Sequence, residues 1–395
     1  MRARVRSGRF KVAVAALAVA GLGLTGCTIG SGGNNESGEE AQVEEAAPMP
    51  VANFEDGDTG WSVLDPVVVS IDGEDLDEVS LTNDEGREVE GEFNEDRTEW
   101  TTTENLGYSR TYSLEATAGE ETITGSMTTV TPNNQTIGYL SPVEGSEVGV
   151  GQTIAIRFDE PIADRQAAQD AINVVTEPAV EGAFYWMNNA EVRWRPAEYW
   201  EPGTQVNVEV DIYGKDLGNG YYGQQNSETS FTIGDEVIAV ADDATKTMTI
   251  SRNGVIENSM PIAMGREAWP TPNGTYMIGD QHNTLLMDST TFGLSMEAGG
   301  YKTNVNYATQ MSYSGIYVHG APWSVGDQGM RNVSHGCINV TDANAQWFMN
   351  NTKRGDLVIV KNTIGGTLSG MDGLGDWNIP WETWSAGNAD ETSAW

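Results

Sequence analysis

Ser334-His335-Gly336-Cys337-Ile338-Asn339, with His319-Gly320 upstream, is the stretch that decides how the rest of the chain is read. It holds one of the chain's two cysteines and, counting His319, two of its three histidines. A strand-like run, Gly315-Ile316-Tyr317-Val318, leads into His319. Fourteen residues then separate His319 from Ser334, enough for a loop that returns the chain beside it. Nucleophilic thiol chemistry needs an imidazole that takes the S–H proton and later hands one to a leaving amine. Each residue alone has a plainer reading. A single Cys commonly packs as a small hydrophobe, and a His beside a strand is commonly a satisfied core residue. Two of three histidines within eighteen positions of one thiol favour a catalytic pair. Zinc is the competing reading, because His335 and Cys337 would point the same way on a strand, but no further Cys is at hand to close a structural site.

His319, a fourteen-residue gap and Ser-His-Gly-Cys-Ile-Asn together resemble the signature of the L,D-transpeptidases, whose catalytic domain is of the YkuD type. The resemblance continues through Ser312-Tyr313-Ser314-Gly315, Ala321-Pro322-Trp323-Ser324-Val325-Gly326, Asn344-Ala345-Gln346-Trp347-Phe348 and Trp377-Asn378-Ile379-Pro380-Trp381. These stretches are similar to the mycobacterial and corynebacterial branch of that family. One position departs from some relatives, which carry Ser where this chain has Gly320; the role implied there uses only the backbone carbonyl.

The resemblance implies a set of roles. Cys337 is the nucleophile, and His319 is the general base and then the acid, its second ring nitrogen donating to the Gly320 carbonyl. Backbone N–H groups of His335, Gly336 and Cys337 form an oxyanion hole, with Gly336 allowing close approach. Ser334 and His335 order the loop, and Asn339 hydrogen-bonds the bound peptide. Tyr301, Ser314 and Gly315 line the donor pocket, with Trp323 on a loop above it and Met287 and Phe292 opposite. Core packing is the plainer alternative for these pocket residues.

The substrate implied is the peptidoglycan tetrapeptide stem, both as donor and as acceptor. Attack on the third residue's carbonyl releases D-Ala and leaves a thioester; an amine of a neighbouring stem then completes a 3-3 cross-link. No cofactor is needed, and carbapenem β-lactams are expected to acylate the same thiol. Two alternatives stay open: a carboxypeptidase in which water takes the thioester, and a non-catalytic wall-binding lipoprotein.

The remaining chain is read from its own composition. Arg2, Arg4, Arg6, Arg9 and Lys11 precede an apolar run, Val12 to Leu24, too short for a comfortable membrane span. It ends in Leu24-Thr25-Gly26-Cys27, which resembles a bacterial lipobox, so residues 1–26 read as a lipoprotein signal and Cys27 as the lipidated residue. An uncleaved anchor helix is the alternative. Either way the chain is expected outside the cytoplasm, tethered to the outer face of the membrane. With Cys27 lipidated, Cys337 would lack a disulfide partner in an oxidising compartment. Residues 27–52 read as a solvated acidic tether.

Alternating runs with closely spaced turns suggest two immunoglobulin-like β-sandwich domains, residues 53–134 and 135–234. Tyr112, Leu114 and Trp100 are expected to face inward in the first. In the second, Asp216, Asn219 and the Gly220 carbonyl could hold a cation such as Ca2+, against the plainer reading of a surface turn. Residues 235–362 read as the catalytic β-sandwich with one helix from Asp342 to Asn350, capped by Thr341-Asp342. Residues 363–395 form a Trp-rich extension expected to pack on the catalytic domain. The whole is therefore mainly β. A formal charge of −37, rising to −42 once the basic leader is removed, argues against nucleic acid as a partner.

Overall fold

A computed structural model describes residues 48–390. The expected leader, Cys27 and the tether as far as residue 47 lie outside the described residues. The fold is mostly β.

Alternation decides the first unit. Thr111–Ala118 places every second side chain inside, as a half-covered strand should. Tyr112 and Leu114 thereby meet Trp100 in a buried core. Two four-stranded sheets enclose that core, one ordered Val51–Ala52, Val68–Ser70, Glu99–Thr102, Gly91–Phe93, the other Asp58–Trp61, Glu121–Thr129, Thr111–Ala118, Glu78–Asn83. The second unit repeats the plan. Ile154–Phe158 and Glu191–Pro196 are central in one sheet, and Gln205–Val210 and Ser227–Ile233 in the other. A short helix, α1 (Arg165–Asp170), interrupts it, started by the Asp164 side chain accepting from the Ala167 N–H at 2.9 Å.

The Asp216–Gly220 turn closes on protein partners. Asp216 Oδ1 accepts from the Gly218 N–H at 2.9 Å, and the Asn219 and Gly220 carbonyls accept from Asn133. Its oxygens serve the turn, and no group of three or more His, Cys, Asp or Glu suited to a metal occurs among the described residues.

The catalytic unit has a five-stranded sheet ordered Val255–Pro261, Thr247–Arg252, Val237–Asp242, Leu357–Lys361, Gly274–Met277. Facing it is a four-stranded sheet ordered Gln281–Asp288, Lys302–Gln310, Tyr317–Gly320, Ile338–Val340. Helix α2 (Asp342–Asn351) starts where Thr341 Oγ1 accepts from the Asn344 N–H at 3.2 Å, and it buries Ala345 and Phe348.

The C-terminal extension packs on two units, the catalytic one and the second immunoglobulin-like one. Asn378 binds the catalytic unit through Thr275. So does the extension's first part: Leu368 enters the catalytic core, Thr363 and Gly365 bond Asn273, and Asp372 accepts from Tyr313 and Ser314. From Trp377 onward it mainly covers the second immunoglobulin-like unit. Trp377 Nε1 donates to the Gly151 carbonyl and Trp384 Nε1 to that of Ala183, both at 2.8 Å. Arg193 meets Asp376 at 2.7 Å, and Arg195 sits among the rings of Trp377, Trp381 and Trp384. That cover explains why Glu191–Pro196 is buried at every position, both arginines included. The extension also holds α3 (Trp381–Ala386), so the single helix expected gains two six-residue companions.

Candidate active site

The site arises from one pairing. Tyr317–Gly320 and Ile338–Val340 run parallel with Val318 opposite Ile338 and His319 opposite Asn339. Side chains alternate along a strand, so Val318 and Ile338 enter the core while His319, Asn339 and Cys337, two residues before Asn339, share the other face. Adjacent strands about 4.8 Å apart and a two-residue offset separate the His319 and Cys337 backbones by roughly 8 Å, which an imidazole and a thiol can span. Both side chains line one cavity of about 360 Å³, with Tyr301, Trp323, Met287 and Asn339 among its walls. A larger cavity of about 790 Å³ between the second immunoglobulin-like unit and the catalytic unit has neither thiol nor imidazole in its lining.

His319 is 3 % exposed, and its Nδ1 lies 2.9 Å from the Gly320 carbonyl. Donation to that oxygen puts the proton on Nδ1 and leaves Nε2 bare. Burial holds the ring below the ordinary imidazole value, opposed by the Gly320 hydrogen bond and the Asp342 charge. Cys337 is 6 % exposed, its S–H donating to the Gly315 carbonyl at 3.6 Å. Burial pushes the thiol up to about 12, against a weaker pull from a Tyr317 backbone hydrogen bond. The resting pair is therefore neutral thiol and neutral imidazole, and the proton must move as sulfur attacks.

A pH profile follows. The Cys337 acylation rate should stay level through 9.0, the ordinary thiol value, and fall only below 6.5, the ordinary imidazole value, as His319 gains its proton. A rate that instead climbs with a midpoint near 9.0 would show a thiol titrating alone, contrary to the burial of this one.

The loop before the thiol is held from several sides. Ser334 Oγ donates to the Cys337 carbonyl at 2.6 Å and accepts from the Gly336 N–H at 3.0 Å. Thr271 Oγ1 donates to the Gly336 carbonyl at 2.7 Å and accepts from the Gly265 N–H. Gly336 stands at φ +124°, a conformation that favours glycine. One expectation changes here. The Gly336 N–H is occupied by Ser334, so it is not a free oxyanion donor; the amides of His335 and Cys337 remain as candidates.

His335 serves the loop. Its ring lies tilted between those of Trp269 and Tyr301, and Nε2 lies 2.9 Å from Arg266 Nη2 and 3.1 Å from the Gly299 carbonyl. Burial and the Arg266 charge keep it below the ordinary value, and a guanidinium at Nε2 opposes a metal there. Tyr301 packs with Met287 and Cys337, burial pushing its phenol up to about 12.

Other expected pocket residues divide. Trp323, 57 % exposed, stands 6.0 Å from the His319 ring. Asn339 Nδ2 donates to Ser324 Oγ at 3.1 Å, which ties the Trp323 turn to the strand, and its buried Oδ1 has no hydrogen-bond partner. Gly315 contributes its carbonyl behind the sulfur. Ser314 does not line the cavity: it is exposed, its N–H donates to Asp372 and its hydroxyl to Ser312. Sequence reading missed Thr271, Arg266, Trp269, Ser324 and Asp372. An aromatic three residues after an Arg, in Arg266-Glu267-Ala268-Trp269, is the one local signal that could have pointed to a clamp.

Residues 236–360 match the family model described as the L,D-transpeptidase catalytic domain, and residues 58–216 match that of a bacterial Ig domain. The chain is 53 % identical to L,D-transpeptidase 2 of Mycobacterium tuberculosis over 347 residues, covering 87 % of this chain and 85 % of that protein. It is 32 % identical to L,D-transpeptidase 5 of the same species over 85 % of this chain and 76 % of the relative. Among solved structures, an L,D-transpeptidase in complex with imipenem aligns at a TM-score of 0.50 and 36 % identity, covering 56 % of this chain and 97 % of the other.

Proposed function

Because this chain belongs to the L,D-transpeptidase family, and is thus an acyltransferase that cross-links peptidoglycan, we propose that Cys337 and His319 carry the transfer through a thioester. The Cys337 sulfur attacks the carbonyl of the third residue in a tetrapeptide stem as its proton passes to His319 Nε2. The C–N bond to D-Ala breaks, and the imidazolium protonates that departing amine. The amine of a third residue on a neighbouring stem then attacks the thioester. His319 takes its proton, the C–S bond breaks and the thiol is restored. The amide's energy is kept in the thioester, so no ATP is required.

One observation carries this reading: the strand register sets the thiol and a tautomer-fixed imidazole on one cavity face. The developing oxyanion is met by the amides of His335 and Cys337, in a site that largely excludes water. Asn339 Oδ1, buried without a partner, accepts an N–H of the bound stem.

A carbapenem offers the thiol a strained acyl group, and a relative has been solved with imipenem. The expected result is an intact-mass increase of one drug molecule on wild type and none on Cys337→Ala. An unmodified wild type, or equal modification of both, overturns the assignment. Lipid anchoring at Cys27 on the outer membrane face is supported by the basic leader and Leu24-Thr25-Gly26-Cys27. A palmitate analogue should label the wild-type protein but not Cys27→Ser; equal labelling of the two refutes the anchor.

A further inference from the structure

The loop of residues 334–337 rests on a second segment, residues 264–271, that holds its peptide planes from one side. The Arg266 N–H donates to the Ser334 carbonyl, and the Ser334 N–H to that of Met264, both at 3.0 Å. Thr271, fully buried, makes the third tie. The Gly265 N–H donates to Thr271 Oγ1 at 2.9 Å, and Oγ1 donates to the Gly336 carbonyl at 2.7 Å. With an N–H on one side and a carbonyl on the other, the hydroxyl's single proton points at Gly336. The turn is closed tightly on Gly265, where a Cβ would collide with the Trp269 carbonyl and stand 2.6 Å from the Thr271 nitrogen.

The carbonyl and N–H of one trans peptide point in opposite directions, and both peptides concerned are trans. Tying the Ser334 carbonyl to Arg266 therefore turns the His335 N–H away from residues 264–271. Tying the Gly336 carbonyl to Thr271 does the same for the Cys337 N–H. The Gly336 N–H between them is taken by Ser334 Oγ. Ser334, His335 and Cys337 line the active-site cavity, whereas Thr271 stands outside its lining.

We propose that Thr271 is a positioning residue of the oxyanion hole, its hydroxyl holding the Gly336–Cys337 peptide in the plane that presents the Cys337 N–H to the tetrahedral intermediate. The proposal rests on Cys337 being the nucleophile. Thr271 touches no reacting atom. As sulfur bonds to the acyl carbon, the carbonyl's electron pair moves onto oxygen; the amide already faces that oxygen, so the peptide does not turn during the step. The pair returns as the C–N bond breaks.

Two reactions of the same thiol, measured on the full chain, test this role. Carbapenem acylation passes through an oxyanion. Alkylation by iodoacetamide forms an S–C bond, expels iodide and gives the thiol proton to His319, with no oxyanion. Thr271→Val should lower the maximal acylation rate about ten- to hundredfold, below the loss of about 10²–10³ on removing such a donor outright, and leave alkylation within about twofold. The half-saturating carbapenem concentration should stay at its wild-type value. Thr271→Ser, which keeps the hydroxyl, should bring acylation back toward wild type. Thr363→Val controls for loosening: it removes the 2.6 Å donation from Thr363 Oγ1 to the Thr271 carbonyl, spares the Thr271 hydroxyl and should keep the wild-type ratio of the two rates. If Thr271→Val does not fold, Thr271→Ala carries the same comparison. The proposal is overturned if both reactions slow alike, if Thr271→Ser falls as far as Thr271→Val, or if Thr363→Val lowers the ratio equally. Failure of the nucleophile reading looks different: Cys337→Ala would then acylate as wild type does.

Discussion

Replacing His319 by Asn lowers the rate of Cys337 acylation by about 10²–10⁴-fold, the range by which positioned acid–base groups accelerate proton transfer. The buried thiol makes the loss large. With its ionisation pushed up to about 12, almost no thiolate exists at neutral pH, and attack depends on removing the proton in the same step. An amide cannot accept that proton. The loss should therefore shrink as pH rises and hydroxide begins to generate thiolate unaided, while substrate affinity changes little. A His319→Asn protein that acylates within a few-fold of wild type at neutral pH would mean another group takes the proton.

The second large effect lies far from the cleft. Asp376→Ala should cost about 3–5 kcal/mol, the range for breaking a buried pair from one side, read as a lower urea midpoint. Asp376 is fully buried and binds Arg193 Nη1 with both oxygens, at 2.7 and 2.9 Å, and accepts from Thr153 Oγ1 at 2.7 Å. Removing it leaves Arg193 with the Gly373 carbonyl and with Glu191 as its one remaining carboxylate, itself shared with Arg157. The cleft should notice. The same extension carries Asp372, which accepts from the Tyr313 and Ser314 N–H groups one turn from the Gly315 carbonyl that holds the thiol. Loosening it should slow acylation as well as unfold the protein sooner. An unchanged urea midpoint would show that the network adds nothing to the folded state.

The proposed catalytic pair was legible because its residues are rare and close in sequence, and because strand alternation converts spacing into a shared face. The cores of the front domains were legible for the same reason: Tyr112 and Leu114 differ by two positions, and period two is a strong signal. Illegible features depend on partners remote in sequence. Arg193 and Asp376 lie 183 positions apart, and nothing local announces that a Trp-rich tail will cover an immunoglobulin-like sheet as well as the domain it follows. The helices Arg165–Asp170 and Trp381–Ala386 are too short to show helical periodicity. Ser314 sits in a motif that touches the cleft, yet its turn aims it at Asp372. The Gly336 amide was lost as an oxyanion donor to Ser334, a competition visible only once the loop is folded.

The most direct measurement is muropeptide analysis after incubating the protein with disaccharide-tetrapeptides. Wild type should yield dimers linked third residue to third residue, with D-Ala released, and Cys337→Ala should yield neither. Tripeptides without dimers would make water the acceptor and the chain a carboxypeptidase. Dimers formed equally by Cys337→Ala would contradict a thioester at this sulfur altogether.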